Sequence, residues 1–401
     1  MVLGLVYIRF SDWGDLFWGT GMRALIVLPK IFPLGGVEKL TIDFIKELYE
    51  REYIIDLLFL NKIDTLHNES FTDLQYCINK IFRLELPINP SYFQFFPSVY
   101  KIREILIQGK YDFVESSSVS GTILTCWASF LLPFKLNLII GLHFCRNHPS
   151  FGKKRDYLLK YSLKICRPLG IYGVSEAVIE SFSDYNLRKS ISKIPNSLGK
   201  EFFRMEEVNL DKFEFKNSLA IKQHSKIILY VGRIDIFKGI QELYESVFPI
   251  LGNDICLVLI GVLDENAISI TNNFKIRLKN SGKENYVIFL GHVLDVRKYM
   301  CLCDVLVLPS YSEAFGIVLL EALACGLPIV ASRINGILEL LDGTNAILVD
   351  VGDSTQLRYA ILMALNIEPE IKLEISNSGK LIANTYTIEK RVDNIISLIN
   401  Q

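Results

Sequence analysis

Continuous apolar runs that alternate with helical segments constrain the fold of this chain more than any other feature of its sequence. Runs such as residues 226–231 and 255–260 lack the polar alternation expected of a strand with one wet face. Such strands are typical of parallel sheets that are covered on both faces by crossover helices. The sequence therefore predicts an α/β fold built from doubly wound parallel sheets.

The strand pattern divides into two groups, which indicates two sheets. The first group lies near residues 23–28, 53–60, 80–84, 113–116, 138–141, 171–174 and 192–194. The second group lies near residues 226–231, 255–260, 287–290, 305–308, 329–332 and 346–349. A chain of 401 residues is long enough for one domain around each sheet.

The polar, charged stretch at residues 200–226 has no strong strand pattern, so we interpret it as the linker between the domains. Two such domains are expected to leave a cleft between the carboxyl ends of their sheets, where ligands of α/β proteins bind. The predicted divisions are an extension at 1–21, an amino-terminal Rossmann-like domain at 22–205, a carboxyl-terminal Rossmann-like domain at 206–380, and a final helical segment at 381–401.

Composition narrows the class of protein further. The net charge of −1 argues against a broad nucleic-acid surface. The eight cysteines lie mostly in apolar patterns without a Cys-x-x-Cys pair, which favours free thiols over disulfides or a metal site. No apolar run reaches the length of a membrane span. Residues 1–21 make a poor signal peptide, and we expect Met22 to be the natural start, with a short membrane-touching arm as the alternative.

A helix pattern from Gly316 to Cys325 is apolar on every side except at Glu321. Gly326 supplies the stop, and a β-branched run follows. Because a buried carboxylate without a partner is costly, Glu321 is expected to meet either a ligand or a neighbouring hydrogen-bond donor.

The start of the same helix, near Phe315, exposes backbone N–H groups that suit a phosphate, and Gly316 removes side-chain bulk there. Glu313 stands just before the helix and Glu321 about one and a half turns along it. Two carboxylates that flank an anion pocket suit a sugar nucleotide.

Two further loops carry candidate binding residues. In "LYVGRIDIFKGI", Arg233 and Lys238 follow a strand and are the types of cation that bind phosphate. In "VLPKIFPLGGVEKL", Gly35 and Gly36 precede a helix and allow a ligand to approach backbone amides. This glycine pair matches neither GxGxxG nor the P-loop, which disfavours a dehydrogenase or a kinase.

Together these stretches resemble the retaining glycosyltransferases of the GT-B fold, family four (glycosyl transferases group 1), over nearly the whole chain from about Met22. The strongest match is the E-x7-E arrangement of Glu313 and Glu321, followed by the "GRIDIFKG" stretch. The resemblance implies two Rossmann-like domains that face each other across a cleft. It also implies a hexosyltransferase that takes its sugar from a nucleoside diphosphate donor.

The resemblance implies roles for individual residues. The catalytic set would be Arg233, Lys238, Glu313 and His143. The donor-binding set would be Gly36, Gly291, Phe315, Gly316, Ile317 and Glu321. The acceptor-binding set would be Gly35, Gly36, His143 and Ser175.

In this scheme the cations neutralise the leaving diphosphate, Glu321 binds the ribose hydroxyls and Glu313 holds the transferred sugar. No Asp-x-Asp motif is present, so we expect no metal and no cofactor beyond the donor as co-substrate. One departure is "IPNSLG", where Ser197 replaces the glycine that family members often have.

The acceptor is less well specified. The basic stretch at residues 152–168 with interleaved apolar residues suits contact with an anionic membrane, although an ordinary solvated helix face with core aromatics beneath is favoured for this segment alone. We expect a glycan or lipid-linked acceptor in surface polysaccharide or lipopolysaccharide synthesis, and a cytoplasmic protein that contacts the inner face of the membrane. The alternatives are an epimerase or phosphorylase of the same fold, or a non-catalytic sugar-nucleotide-binding scaffold.

Overall fold

The computed structural model describes residues 21–29, 35–61, 74–87, 92–146, 148, 151–204 and 211–400. The chain forms two compact units. The first unit comprises residues up to Asn196 together with Ile388 onwards, and the second comprises Ser197–Thr387. Apart from Gly21, the expected extension at 1–21 lies outside the described residues.

The first unit is built around one parallel sheet. Its strands are β1 (Arg23–Leu28), β2 (Ile54–Asn61), β3 (Lys80–Leu86), β4 (Phe113–Ser116), β5 (Leu138–Leu142), β6 (Gly170–Gly173) and β7 (Ser192–Lys193). Its helices are α1 (Gly36–Glu50), α2 (Tyr92–Gly109), α3 (Val119–Phe130), α4 (Lys153–Cys166) and α5 (Glu176–Ser181). The sheet order is β3-β2-β1-β4-β5-β6-β7.

The second unit repeats this architecture. Its strands are β8 (Lys226–Val231), β9 (Ile255–Ile260), β10 (Val287–Gly291), β11 (Val305–Leu308), β12 (Ile329–Ser332) and β13 (Ile347–Val349). Its helices are α6 (Lys212–Ser218), α7 (Ile240–Val247), α8 (Ile268–Asn280), α9 (Arg297–Leu302), α10 (Ile317–Cys325), α11 (Asn335–Leu341), α12 (Ser354–Leu365) and α13 (Pro369–Ala383). The sheet order is β10-β9-β8-β11-β12-β13.

Both sheets are parallel throughout their named strand pairs, as the apolar runs predict. Each expected strand is present, with bounds that differ from the prediction by two residues or fewer. The strand order reverses direction between β1 and β4 in one sheet and between β8 and β11 in the other. Ligands of open α/β sheets bind at such reversal points, outside the carboxyl ends of the strands.

The first boundary between the units lies before the expected one at 205. Leu198 donates its N–H to the Tyr386 carbonyl at 2.8 Å and forms a bridge with Thr387. Phe202, within the expected linker, is 2 % exposed. These contacts tie the start of the linker region to the second unit, although its sequence is polar.

The second boundary also differs from the expected one, at 381. Helix α13 runs to Ala383 and belongs to the second unit, and the first unit resumes with α14 (Ile388–Ser397). Helix α14 contacts α1, and its buried residues Val392 and Ile395 join the core cluster of the amino-terminal sheet.

All eight cysteines are free thiols, in agreement with their apolar surroundings in the sequence. Among the helices of the described ranges, none combines the length and apolar character that a bilayer crossing requires. Within the same ranges, no group of three or more His, Cys, Asp or Glu side chains is arranged to hold a metal ion.

The packing of α14 generates a test of stability. Ile395 is 1 % exposed, so Ile395→Ala is expected to lower the free energy of unfolding by about 2–5 kcal/mol because it leaves a cavity. Leu381→Ala, at a site that is 70 % exposed, is the matched control and should change stability by less than about 0.5 kcal/mol. Urea unfolding followed by circular dichroism measures both, and equal shifts would contradict the packing of α14.

Candidate functional site

The reversal point of the second sheet brings two loops together. Gly232 and Arg233 follow the end of β8, while Ser310 and Glu313 follow the end of the neighbouring strand β11. Because the two strands are parallel, both loops leave from the same edge of the sheet. The sheet therefore brings two chain segments that are distant in sequence to one place.

Lys238 and Glu313 form an ion pair at this edge. The Lys238 Nζ lies 2.6 Å from the Glu313 Oε1, and the two side chains are 24 % and 11 % exposed. Ser310 Oγ donates to the same Oε1 at 2.9 Å. The carboxylate of Glu313 is therefore fixed in position by two donors while one side of the pair remains accessible to solvent.

Arg233 lies on the same loop but pairs with other carboxylates. Its guanidinium is 2.5 Å from Asp235 Oδ2 and 3.5 Å from Asp264 Oδ2. The Arg233 side chain is about half exposed, whereas Asp235 is fully buried. Asp235 holds one terminal nitrogen of the guanidinium, and the exposed part of the side chain remains open to an anion.

Asp235 also shapes the turn that carries Lys238. Its Oδ1 accepts from the N–H groups of Phe237 at 2.6 Å and Lys238 at 3.2 Å, which caps the short helical turn Ile236–Lys238. Tyr230 adds a second brace, since its O–H donates to the Arg233 carbonyl at 2.7 Å. Burial raises the pKa of Tyr230 well above its ordinary value, so this phenol remains a donor at neutral pH.

Gly239 lets the Lys238 turn approach β11. Its φ of +68° lies in the left-handed region, and a Cβ at this position would lie 1.9 Å from the Pro309 carbonyl oxygen. Only glycine satisfies both requirements without a shift of the backbone. The "KG" of the sequence therefore reflects close contact between the two loops that hold the ion pair.

Helix α10 begins beside the ion pair. Its N-cap residue Gly316 has φ +78°, and no side chain caps the helix. Phe315 is 1 % exposed and its ring packs 5.6 Å from that of Tyr386, so Phe315 can offer a ligand only its backbone. Ile317, the first helical residue, is half-buried, and Glu321 is 6 % exposed on the same helix.

Gly291 lies at the end of the edge strand β10, where it is exposed and has φ +67°. A Cβ at this position would meet nothing within 4 Å. The backbone conformation and the free space are consistent with the expected backbone contact to a nucleobase, which stays a prediction.

The first unit has a cavity of its own at its reversal point. Its volume is about 220 Å³, and its lining residues are Leu28, Pro29, Val37, Glu38, Ser117, Ser118, His143 and Phe144. They lie at or just after the carboxyl ends of β1, β4 and β5, or belong to the start of α1.

The glycine pair of the sequence lies beside this cavity. Gly35 is the N-cap of α1 and Gly36 is its first residue, and both are exposed. Glu38, which lines the cavity, accepts from the Gly35 N–H at 3.1 Å. The expected backbone approach to a ligand is therefore sterically open at Gly36, while the Gly35 N–H already has a partner.

His143 lies above a buried polar network. The network contains Glu115, which is 3 % exposed, and its Oε1 accepts from the hydroxyls of Ser117 and, at 2.9 Å, of Tyr172. Arg391 of α14 donates to the Tyr172 hydroxyl at 3.2 Å. Burial raises the pKa of Glu115, and burial together with the Arg391 charge holds the pKa of His143 well below its usual value.

Ser175 has a structural role. It is fully buried, and its Oγ accepts from the Val178 N–H at 3.2 Å to cap α5. The hydroxyl oxygen therefore caps its own helix, and the expected contact with an acceptor stays a prediction.

Sequence reasoning brought the Lys238 and Glu313 loops together but missed several residues that support them. Asp235 stands within the quoted "GRID" stretch, and a short acidic residue before a turn is a cap signal that could have identified it. Ser117 and Ser118 follow a buried strand, and that position could have identified them too. Glu115 and Arg391 have no local signal, because their contact joins residues far apart in sequence.

Part of the second unit matches a known protein family. Residues 225–366, which hold Arg233, Lys238, Glu313 and Glu321, match the family described as Glycosyl transferases group 1. Over this part of its second unit, the chain therefore resembles the group 1 glycosyltransferases.

Two curated relatives resemble this chain over a larger part of its length than the family match does. An N,N'-diacetylbacillosaminyl-diphospho-undecaprenol alpha-1,3-N-acetylgalactosaminyltransferase of Campylobacter jejuni is 29 % identical over 63 % of this chain and 67 % of its own length. A phosphatidyl-myo-inositol mannosyltransferase of Mycobacterium leprae is 27 % identical over 86 % of this chain and 87 % of its own.

Solved structures show the same GT-B fold. Anabaena HepE, crystallised with UDP and glucose, superposes with a TM-score of 0.80 at 20 % identity and covers 94 % of this chain and 99 % of its own. A sucrose-phosphate synthase of Thermosynechococcus elongatus gives a TM-score of 0.76 at 18 % identity, over 95 % of this chain and 98 % of its own.

The contact at Gly239 predicts a specific loss of stability. Gly239→Ala forces a Cβ against the Pro309 carbonyl, whereas Gly282→Ala imposes the same left-handed φ with nothing within 4 Å. We expect Gly239→Ala to cost about 1–3 kcal/mol more than its control because of this added overlap. Calorimetric unfolding of both variants measures the difference, and equal losses would refute the close contact.

Proposed function

We propose that this chain transfers a sugar from a nucleoside diphosphate donor to a glycan or lipid-linked acceptor with retention of anomeric configuration. The observation that carries the proposal is the group of Arg233, Lys238 and Glu313 at the reversal point of the second sheet. Both cations are partly exposed and each is braced by a carboxylate. Such preorganised charges suit an anion that gains charge during a reaction.

The diphosphate is the expected partner of these cations. When the sugar–phosphate bond breaks, the bonding electrons stay with the phosphate oxygen, so the diphosphate becomes more negative and the sugar carbon becomes cation-like. Arg233 and Lys238 favour the more negative state over the ground state and thereby lower the barrier. The uncapped start of α10 at Gly316 adds backbone N–H groups of the same polarity.

The remaining donor contacts follow the same arrangement. We propose that Glu321 accepts hydrogen bonds from the ribose hydroxyls and that Gly291 contacts the base through its backbone. Glu313 would accept from hydroxyls of the transferred sugar while Lys238 and Ser310 hold its carboxylate. Retention is proposed through front-face attack, because a carboxylate held by two donors is a poor nucleophile. The acceptor oxygen then bonds to the sugar carbon on the face that the phosphate leaves, and the leaving phosphate oxygen takes the acceptor proton. The proposal uses no metal and no further cofactor.

The acceptor class is proposed from the relatives. The two curated relatives described above are named for a diphospho-undecaprenol and a phosphatidyl-inositol acceptor. Another, from Staphylococcus aureus, is named for capsular polysaccharide biosynthesis. We propose that the cavity of the first unit, beside Gly36, receives part of such an acceptor.

Lys238→Met and Glu313→Gln test the transfer. Thermal shift first ranks UDP-, GDP- and ADP-sugars as donors for the wild-type protein. With the best donor, each variant is expected to release nucleoside diphosphate about 10²–10³-fold more slowly in the presence of an acceptor, because it has lost one of the preorganised charges. Lipid-linked glycans serve as acceptors in the assay. Release without an acceptor, or binding without release, would favour a scaffold or another reaction of the same fold.

Lys212→Met is the matched control. Lys212 pairs with Asp304 at 2.9 Å, and Asp304 precedes β11 at the opposite end of the strand from Glu313. This variant also removes a lysine–carboxylate pair, but at the amino ends of the strands, away from the proposed site. Its activity should stay within twofold of wild type, and a loss equal to that of Lys238→Met would refute the site.

We also propose that helix α4 rests on an anionic membrane at the inner face of the cell. Its outer face carries Tyr157 and Tyr161, which are 61 % and 46 % exposed. The exposed cations beside them are Lys153, Lys154, Arg155 and Lys164. Exposed aromatic rings between cations suit the interface of anionic lipids.

Liposome sedimentation tests this contact. The wild-type protein should bind vesicles of phosphatidylglycerol and phosphatidylcholine at low salt, and less so at high salt. The Lys153→Gln/Lys154→Gln double variant should bind at least several-fold more weakly. Lys275→Gln/Lys279→Gln on α8 serves as the charge-matched control. Binding that is absent, or reduced equally in both variants, would contradict the proposal.

A further inference from the structure

The ring of His143 is surrounded by polar groups of its own unit. Its Nε2 lies 3.5 Å from Nη2 of Arg391 and 3.5 Å from the hydroxyl of Tyr172. The ring also packs edge-on against Tyr172, with 5.9 Å between centroids. These contacts restrict where the ring can carry a proton.

The direction of the neighbouring hydrogen bonds determines the role of Nε2. A guanidinium has donors only, so Arg391 can only donate to the nitrogen. The Tyr172 hydroxyl has one proton, and the carboxylate oxygen of Glu115 accepts it at 2.9 Å. The Tyr172 oxygen already accepts from Arg391 at 3.2 Å and needs no second donor, whereas a proton on Nε2 would face the guanidinium N–H groups, so Nε2 is an acceptor.

A neutral ring with an acceptor at Nε2 carries its proton on Nδ1. The Nδ1 atom of His143 and the Oδ1 atom of Asn196 are both buried, and neither has a hydrogen-bond partner among the described residues. Asn196 also acts to raise the pKa of His143, as an acceptor near a ring N–H does. The two atoms are complementary in hydrogen-bonding type.

Arg391 is itself rigidly held. It is 4 % exposed and donates to the carbonyl oxygens of Pro195 at 2.6 Å and Ile194 at 3.2 Å. Its charge therefore stays close to the His143 ring, and burial and this charge both lower the pKa of His143. The other titratable groups that face the ring are Tyr172 and, beyond it, Glu115.

We propose that Arg391 is a positioning residue that holds His143 neutral, with its proton on Nδ1, so that His143 does not accept a proton during sugar transfer. The tautomer follows from the contacts within the first unit alone. The statement about transfer rests on the proposed function. In this scheme His143 orients a ligand through the shape of the cavity it lines and not through proton exchange.

Nuclear magnetic resonance of the ring nitrogens tests the tautomer directly. The full chain has five histidines, so ¹⁵N-histidine labelling gives a spectrum in which His143→Gln assigns the ring by its missing signals. We expect a protonated Nδ1, an unprotonated Nε2 and no titration of this ring between pH 5.5 and 8, a range that includes the ordinary histidine pKa of about 6.5. A proton on Nε2, or titration with the ordinary pKa, would overturn the proposal.

Arg391 variants test the cause. Arg391→Met should populate the Nε2–H tautomer and raise the pKa of His143, while Arg391→Lys should keep the proton on Nδ1 because it retains a cationic donor. Lys390→Met, at an exposed neighbouring position, is the control and should change neither. If Arg391→Met fails to fold, as reported by the other four histidines, the wild-type and Arg391→Lys spectra still decide. An unchanged ring in a folded Arg391→Met variant would refute the role.

Kinetics separate this proposal from the proposed function. If the chain transfers sugar, kcat should show no pH-dependent step at the pKa of His143. Neither Arg391→Lys nor Arg391→Met should introduce such a step or shift one together with that pKa. A step that tracks His143 would overturn the statement about transfer. Absence of any transfer would refute the proposed function and leave the tautomer to the spectra.

Discussion

Burial of both faces of each parallel sheet determines where chemistry is possible in this protein. Strands such as β9 and β11 are apolar along their length and covered by helices, so charged groups cannot be placed along them without loss of solvation. The loops at the carboxyl edge escape this restriction. The Lys238–Glu313 pair lies at that edge, where neighbouring connections leave in opposite directions.

Asp235 and Glu115, two acidic groups that enter the interior, are compensated by hydrogen-bond donors. Asp235 pairs with Arg233 and accepts from two backbone N–H groups. Glu115 accepts from two hydroxyls, and one of these, that of Tyr172, accepts in turn from Arg391. A buried carboxylate is tolerated when donors surround it in this way. Asp235 stands behind the half-exposed Arg233, and Glu115 stands behind Ser117, which lines the cavity of the first unit. The same hydrogen bonds that solvate each carboxylate also hold these side chains in place.

Much of this fold is readable from the sequence because its signals are local. Apolar runs mark the buried strands, and glycines such as Gly326, with φ +69° at the end of α10, mark helix ends. The E-x7-E spacing and the "GRIDIFKG" loop identify the carboxyl-terminal site for the same reason. The contact between Arg391 and Tyr172 has no local signal, because 219 residues separate them. The domain boundary was predicted too late in the chain, because the polar composition after Asn196 does not reveal that Phe202 is buried.

The path of the chain through its two units affects the order in which they can form. The second unit is continuous, from Ser197 to Thr387, whereas the first lacks α14 until the segment after Ile388 has been made. During synthesis the later unit therefore has its complete sequence before the earlier one does. Until α14 has been synthesised, the apolar surface formed by Ile45 and Leu48 stays uncovered. Tyr172 also lacks the guanidinium of Arg391 as a hydrogen-bond donor until then. A nascent chain of this protein must keep its first sheet from aggregating while an entire second unit is translated.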